Sequence, residues 1–168
     1  MKKIITFLFF LLCFEYGFAG HIAGGEMYYK YLGPGSAPNS GKYEITLRLF
    51  RECHPLGTAA PLPTDVFIGI FRNTLPASLV TTVDVRQSSF QVISLQKALS
   101  CIINPPEVCY QVSTYSFTQE LADDSLGYTF AYQTCCRSNS ILNVQFFSIP
   151  GGQGAGEGAT YTCQIPGT

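Results

Sequence analysis

Residues 127–137 read GYTFAYQTCCR, and no other stretch limits the fold as tightly. Tyr128, Phe130, Tyr132 and Cys136 share one parity, and Thr129, Ala131, Gln133 and Cys135 share the other. That period of two is the pattern of a half-buried β-strand, with an aromatic face turned into a core and a smaller, more polar face turned outward. The adjacent cysteines then present one thiol to each face. A core-facing strand that also carries cysteines predicts a small extracellular β-domain braced by disulfides.

The N-terminus points the same way. Lys2 and Lys3 precede an apolar run over residues 4–13 (IITFLFFLLC), and Gly17 and Ala19 are small residues spaced for a signal peptidase. Residues 1–19 are therefore expected to be a signal peptide cleaved after Ala19, with residues 20–168 forming a single domain. The run is too short to span a bilayer, which takes about 20 apolar residues, and Glu15 interrupts it. No membrane insertion is expected after cleavage. Leu12 stands where a lipoprotein signal carries a small residue, so Cys13 leaves with the signal peptide. Removing Lys2, Lys3 and Glu15 from 10 basic and 11 acidic side chains leaves a net charge near −2. With no basic patch or interleaved aromatic-basic run, a nucleic-acid partner is excluded.

Alternation continues along the chain. A short first strand is predicted over residues 27–32, then a turn over 33–41 (GPGSAPNSG), rich in residues that accept unusual backbone angles. Residues 42–52 form a long second strand with Tyr43, Ile45, Leu47 and Leu49 facing the core and Cys53 continuing that face. The Pro-rich segment 54–64 cannot extend a ladder, because proline lacks the backbone donor. Residues 65–72 (DVFIGIFR) are apolar on both faces and predict a central strand. Two further strands are expected over 79–85 and 90–95, joined by a polar turn at 86–89. Only residues 96–100 suggest a turn of helix. Residues 112–121 predict a strand with a bulge near Thr114, because Val112, Tyr115 and Phe117 break parity. After the strand at 127–137, strands are expected over 141–149 and 159–165, with a glycine-rich loop at 150–158. Nine short strands separated by Pro/Gly turns predict an all-β fold, an antiparallel, disulfide-braced β-sandwich of immunoglobulin-like kind.

Six cysteines remain in the mature chain: Cys53, Cys101, Cys109, Cys135, Cys136 and Cys163. An even number in an exported chain reads as three disulfides, for which fifteen pairings exist. Inward parity favours a bond from Cys53 to Cys136 across the core; Cys101 and Cys109 close a local ring, and Cys135 is left with Cys163. The swap, Cys53 with Cys135 and Cys136 with Cys163, remains open. Zinc-ligand spacing and the Cys-x-x-Cys spacing of redox thiols are both absent, so the cysteines read as framework, with no metal and no cofactor.

Little else suggests chemistry. His21 and His54 have no nucleophile in a recognisable local context. Asp123 and Asp124, followed by Ser-Leu-Gly, read as a turn ahead of a weak calcium site. The glycine-rich stretch 151–158 lacks the Gly-Lys-Ser/Thr ending of a phosphate loop. Tyr28, Tyr29 and Tyr31 read as an edge-strand tyrosine ladder packing on its neighbour ahead of a surface for stacking on sugars. No catalytic residues are assigned.

Five segments together, HIAGGEMYYKYLG, KYEITLRLFREC, CIINPPEVC, GYTFAYQTCCRSNSI and GATYTCQIP, carry a family likeness over nearly the whole mature chain. In them the sequence resembles the N-terminal module of large secreted surface proteins of Bacteroidetes, with Glu52 where that pattern has Asp. Those proteins look like adhesins with PKD-like or other immunoglobulin-like repeats and a C-terminal gliding-motility or type IX secretion sorting domain. The resemblance implies a secreted, cell-surface module forming the N-terminal part of a longer protein, without enzymatic activity, whose ligand is a surface glycan or protein. A lectin-like carbohydrate-binding module is the alternative, and a secreted hydrolase ranks behind both. Binding is expected from loops such as 54–64 and 150–158.

Overall fold

The structure is a computed structural model that describes residues 22–53, 61–94, 108–134, 146–147, 155–156 and 158–168. The strands are β1 (Gly24–Pro34), β2 (Ser40–Glu52), β3 (Asp65–Arg72), β4 (Ser78–Ser94), β5 (Cys109–Ala122), β6 (Tyr128–Thr134), β7 (Phe146–Phe147), β8 (Ala155–Gly156) and β9 (Ala159–Ile165). Seven of them run in the order β1-β2-β5-β4-β3-β6-β9, every pair antiparallel, while β7 and β8 pair separately. The expected signal peptide, residues 96–100 and most of 141–149 lie outside the described residues.

β4 explains how one strand order makes two layers. Its first part pairs with β3, from Ser78↔Arg72 to Arg86↔Asp65, and its last part pairs with β5, from Gln87↔Tyr115 to Ser94↔Cys109. One layer is therefore β1-β2-β5 with the end of β4, and the other is the start of β4 with β3, β6 and β9. Numbering the seven strands in chain order gives 1-2-5-4 on one sheet and 3-6-7 on the other, the ABED and CFG arrangement of an immunoglobulin constant-type domain. The expected turn at residues 86–89 is absent. That polar stretch lies at the crossing from one sheet to the other, where a register irregularity between Gln87 and Ser89 bends the strand instead of reversing it. The bulge expected near Thr114 falls opposite it: Ser88 is the extra residue, facing Thr114 and Tyr115.

The core follows the alternation. Ile45, Leu47 and Leu49 from β2 and Val66, Ile68 and Ile70 from β3 are buried, as are Val85, Tyr115, Phe130, Tyr132 and Ile165. Phe117 meets Phe130 edge to face, with centroids 6.2 Å apart. β3 lies inside its sheet, between β4 and β6, as its two apolar faces predict, yet Phe67 on its outer face remains exposed. Tyr115 buries its ring and keeps its hydroxyl satisfied by donating to the Pro63 carbonyl at 2.5 Å.

The disulfide corrects the sequence reading. Cys53 bonds Cys109, with Cα atoms 5.4 Å apart. β2 and β5 are neighbours, the last paired residues are Glu52↔Tyr110, and the next rung brings Cys53 opposite Cys109, where the Cys53 amide donates to the Cys109 carbonyl at 3.0 Å. The bond thus staples adjacent strands of one sheet, not two sheets across the core. This overturns the pairing of Cys101 with Cys109 and of Cys53 with Cys136 or Cys135. Cys163, expected to pair with Cys135 or Cys136, carries a free buried thiol, and burial pushes it up to about 11. It faces Phe130 across β6 and β9. Cys101, Cys135 and Cys136 lie outside the described residues.

Candidate functional site

One end of the sandwich collects the turn between β1 and β2, the turn between β5 and β6, and the segment after β9. Between them opens a cleft of about 630 Å³. Its aromatic wall is built by register. Tyr31 lies opposite Tyr43 and Tyr29 opposite Ile45, so parity brings Tyr29, Tyr31 and Tyr43 to one face of the β1-β2 ribbon. Tyr43 is the brace: its ring stands 5.3 Å from that of Tyr31 at 53° and 6.0 Å from that of Tyr29 at 71°. Tyr31 remains 54 % exposed and Tyr29 37 %, so both offer ring surface to solvent. Gly41 makes room for the brace, because a β carbon there would stand 2.7 Å from the Tyr43 hydroxyl oxygen.

The opposite walls are held by hydrogen bonds. Gly35 donates its amide to the Ser40 carbonyl at 2.8 Å, closing the β1-β2 turn, and the Ser40 hydroxyl donates to Ala37 at 2.7 Å. Asn39 takes the left-handed conformation, φ 53°, which asparagine tolerates better than most residues. Glu120 on β5 anchors this turn from the side, accepting from the Ser36 amide at 3.0 Å and hydroxyl at 2.6 Å. Those two bonds hold its carboxyl below the usual range. The Asp123 amide donates to the Asn39 carbonyl at 2.8 Å, tying the two turns together. Pro166, Gly167 and Thr168 complete the rim.

The electrostatics are simple. Asp123 is the only acidic or basic side chain among the described lining residues. Burial, then the neighbouring Tyr31, Asp123 and Tyr29, raise the Tyr43 phenol above its ordinary value, so at neutral pH it is a hydroxyl able to donate. Asp124 points elsewhere: its carboxylate accepts from the Leu126 amide at 2.8 Å and pairs with Arg72 at 2.5 Å, as a turn residue does. The two acids read together in the sequence are thus separated in role.

Other expectations meet the structure unevenly. Tyr29 and Tyr31 join the site; Tyr28 sits on the opposite face of β1, beside Glu26 and Lys30 in parity. His21, His54, residues 54–60 and most of the glycine-rich stretch 150–158 are outside the described residues. Glu52 and Asp65, which flank the proline-rich segment, lie at the end of the sandwich away from the cleft. Among the described residues no group of three or more His, Cys, Asp or Glu is placed to hold a metal, and no helix is long and apolar enough to cross a membrane. Tyr43, Asn39 and the segment 165–168 were not singled out from sequence. Counting back from the turn at 33–41 would have paired Tyr31 with Tyr43 and signalled the cluster. Compared with known families, curated proteins and solved structures, the chain finds no match.

Proposed function

We propose that this chain is a non-catalytic adhesion module of a secreted or cell-surface bacterial protein, and that it engages its partner through the tyrosine cleft. The observation that carries this reading is the pair of exposed rings, Tyr29 and Tyr31, held at fixed inclinations against Tyr43. Rigid aromatic side chains bury large area on binding at little conformational cost, which makes them the common anchors of recognition surfaces. The hydrogen-bonded turns around them lower the ordering cost further. The Cys53–Cys109 bond supports an oxidising compartment, consistent with the signal-like N-terminus. The resemblance to Bacteroidetes surface proteins supports the same setting and a place as the first module of a longer adhesin.

The test is adhesion itself. Beads coated with the secreted chain are washed over films of bacterial surface protein, extracellular-matrix protein and polysaccharide. Retention on at least one film, abolished by the Tyr29→Ala, Tyr31→Ala double replacement with an unchanged melting point, is the expected result. Retention that survives the double replacement moves the binding surface elsewhere, and no retention on any film removes the adhesion reading.

A further inference from the structure

We propose that the ligand of the tyrosine cleft is a neutral glycan, gripped by stacking on Tyr29 and Tyr31 and by hydroxyl contacts to Asp123 and Asn39. This rests on the reading that the cleft is the binding surface, and it names what binds there. The two exposed rings are tilted differently against Tyr43, so they present a bent aromatic wall, not a flat slot. A pyranose suits such a wall, because its C–H face is apolar and slightly positive while the face of a tyrosine ring is negative. Its edge, in contrast, is a row of hydroxyls that each donate and accept.

The polar side of the cleft matches that edge. A carboxylate such as that of Asp123 accepts hydrogen bonds only, while an asparagine amide such as that of Asn39 both donates and accepts. Both residues line the cleft, and the backbone bond between them, 2.8 Å, fixes the spacing of the two turns. A carboxylate on one turn and an amide on the turn bonded to it offer sugar hydroxyls an acceptor and a group that both donates and accepts.

Charge excludes the nearest competitors. With Asp123 the only acidic or basic side chain among the described lining residues, the cleft disfavours carboxylated, sulfated or phosphorylated ligands. A proline-rich peptide would also find aromatic faces, but it offers carbonyl acceptors and few N–H donors, so the Asp123 carboxylate would be desolvated with nothing to accept from. A cleft of about 630 Å³ falls within the roughly 300–1,000 Å³ of small-ligand sites, enough for a short run of sugars in place of a whole protein surface.

The experiment is affinity electrophoresis of the secreted chain in native gels containing one soluble polysaccharide each: a neutral glucan, galactan, mannan or xylan, or anionic pectate or alginate. A proline-rich peptide is titrated in parallel by tyrosine fluorescence. The expected result is retardation by at least one neutral polysaccharide and by neither anionic one. Tyr31→Ala, which removes a stacking face, and Asp123→Asn, which replaces a charged acceptor by a neutral one, should each weaken that retardation roughly fivefold. Tyr31→Phe, which keeps the ring, should retain most of it. Retardation indifferent to both Tyr31→Ala and Asp123→Asn overturns the assignment, as does preference for the anionic gels. If no neutral polysaccharide retards the protein while adhesion to a protein film still depends on Tyr29 and Tyr31, the glycan assignment fails and the cleft stands as a protein-binding surface. If neither occurs, both readings fail together.

Discussion

Replacing Cys53 and Cys109 together by serine isolates what the disulfide contributes. The bond closes a loop of sequence separation 56, for which the chain-entropy relation gives about 4 kcal/mol of stabilisation. The native state supplies little against that figure. β2 and β5 are paired without a register break from Ser40↔Ala122 to Glu52↔Tyr110, and the Cys53 amide continues the ladder to Cys109. The bond lies on a rung that the ladder already sets, so its loss acts chiefly on the unfolded chain. At roughly 2–4 °C per kcal/mol for a domain of this size, the melting point of the double variant should fall by about 8–16 °C. The urea m-value should rise as well, because an uncrosslinked unfolded chain exposes more surface. Circular dichroism during heating and urea titration, with and without dithiothreitol, reads both quantities, and reduced wild type should approach the variant. A melting point unmoved by the double replacement would refute the entropic reasoning. Peptide mapping under non-reducing conditions that joins Cys53 to any cysteine other than Cys109 would refute the pairing itself.

Three further outcomes are expected. Tyr115→Phe strips the Pro63 carbonyl of its hydroxyl donor in a buried setting and should cost about 1–3 kcal/mol in urea unfolding, with no change in the cleft. Gly127→Ala places a β carbon against the Ile165 carbonyl at a residue with φ +72°, so thermal unfolding should show a loss of more than about 1 kcal/mol, whereas Gly24→Ala, whose nearest neighbour is 4.0 Å away, should be tolerated. The carboxyls of Glu120, through the Ser36 hydroxyl and amide, and of Asp124, through the Leu126 amide and Arg72, are held below their ordinary values. Their contribution to stability is therefore complete above the unfolded carboxylate range, about pH 4–4.5, and disappears as pH falls through the lower folded values. Melting points measured from neutral pH to pH 3 should drop at the acid end, and the Glu120→Gln, Asp124→Asn double variant should flatten that drop.

What sequence could tell depended on the range of the signal. Alternation is local, and it placed Phe130 and Tyr132 inward on β6, bounded β3 at Asp65 and Arg72, and put Ile45, Leu47 and Leu49 in the core. Parity failed where it met a strand that changes partners. The stretch Arg86 to Ser89 is polar because it crosses between sheets, and composition alone cannot tell a crossing from a reversal. Cysteine pairing failed for another reason: parity says which face a thiol takes, but the bond formed along the hydrogen-bonding direction, between neighbours in one sheet. The cleft was half legible. Tyr29 and Tyr31 stood out as exposed aromatics, but Tyr43 was assigned to the core by its parity with Ile45. That assignment holds, since Tyr43 is partly buried against the core, and its ring also braces Tyr29 and Tyr31 at the cleft, which parity alone does not show.

The two ladders that flank the domain also fix how it would carry a mechanical load. β1 starts at Gly24, opposite Phe50, and β9 ends at Ile165, opposite Tyr128, so these two points sit at opposite poles. A pull applied between them runs along the strands, while the ladder bonds run across them. The β1-β2 and β6-β9 ladders are then loaded in shear, with every rung sharing the force, not peeled open one rung at a time. Tension on that axis would meet the β-sandwich at its strongest, with the tyrosine cleft facing out from the pole at which β9 ends.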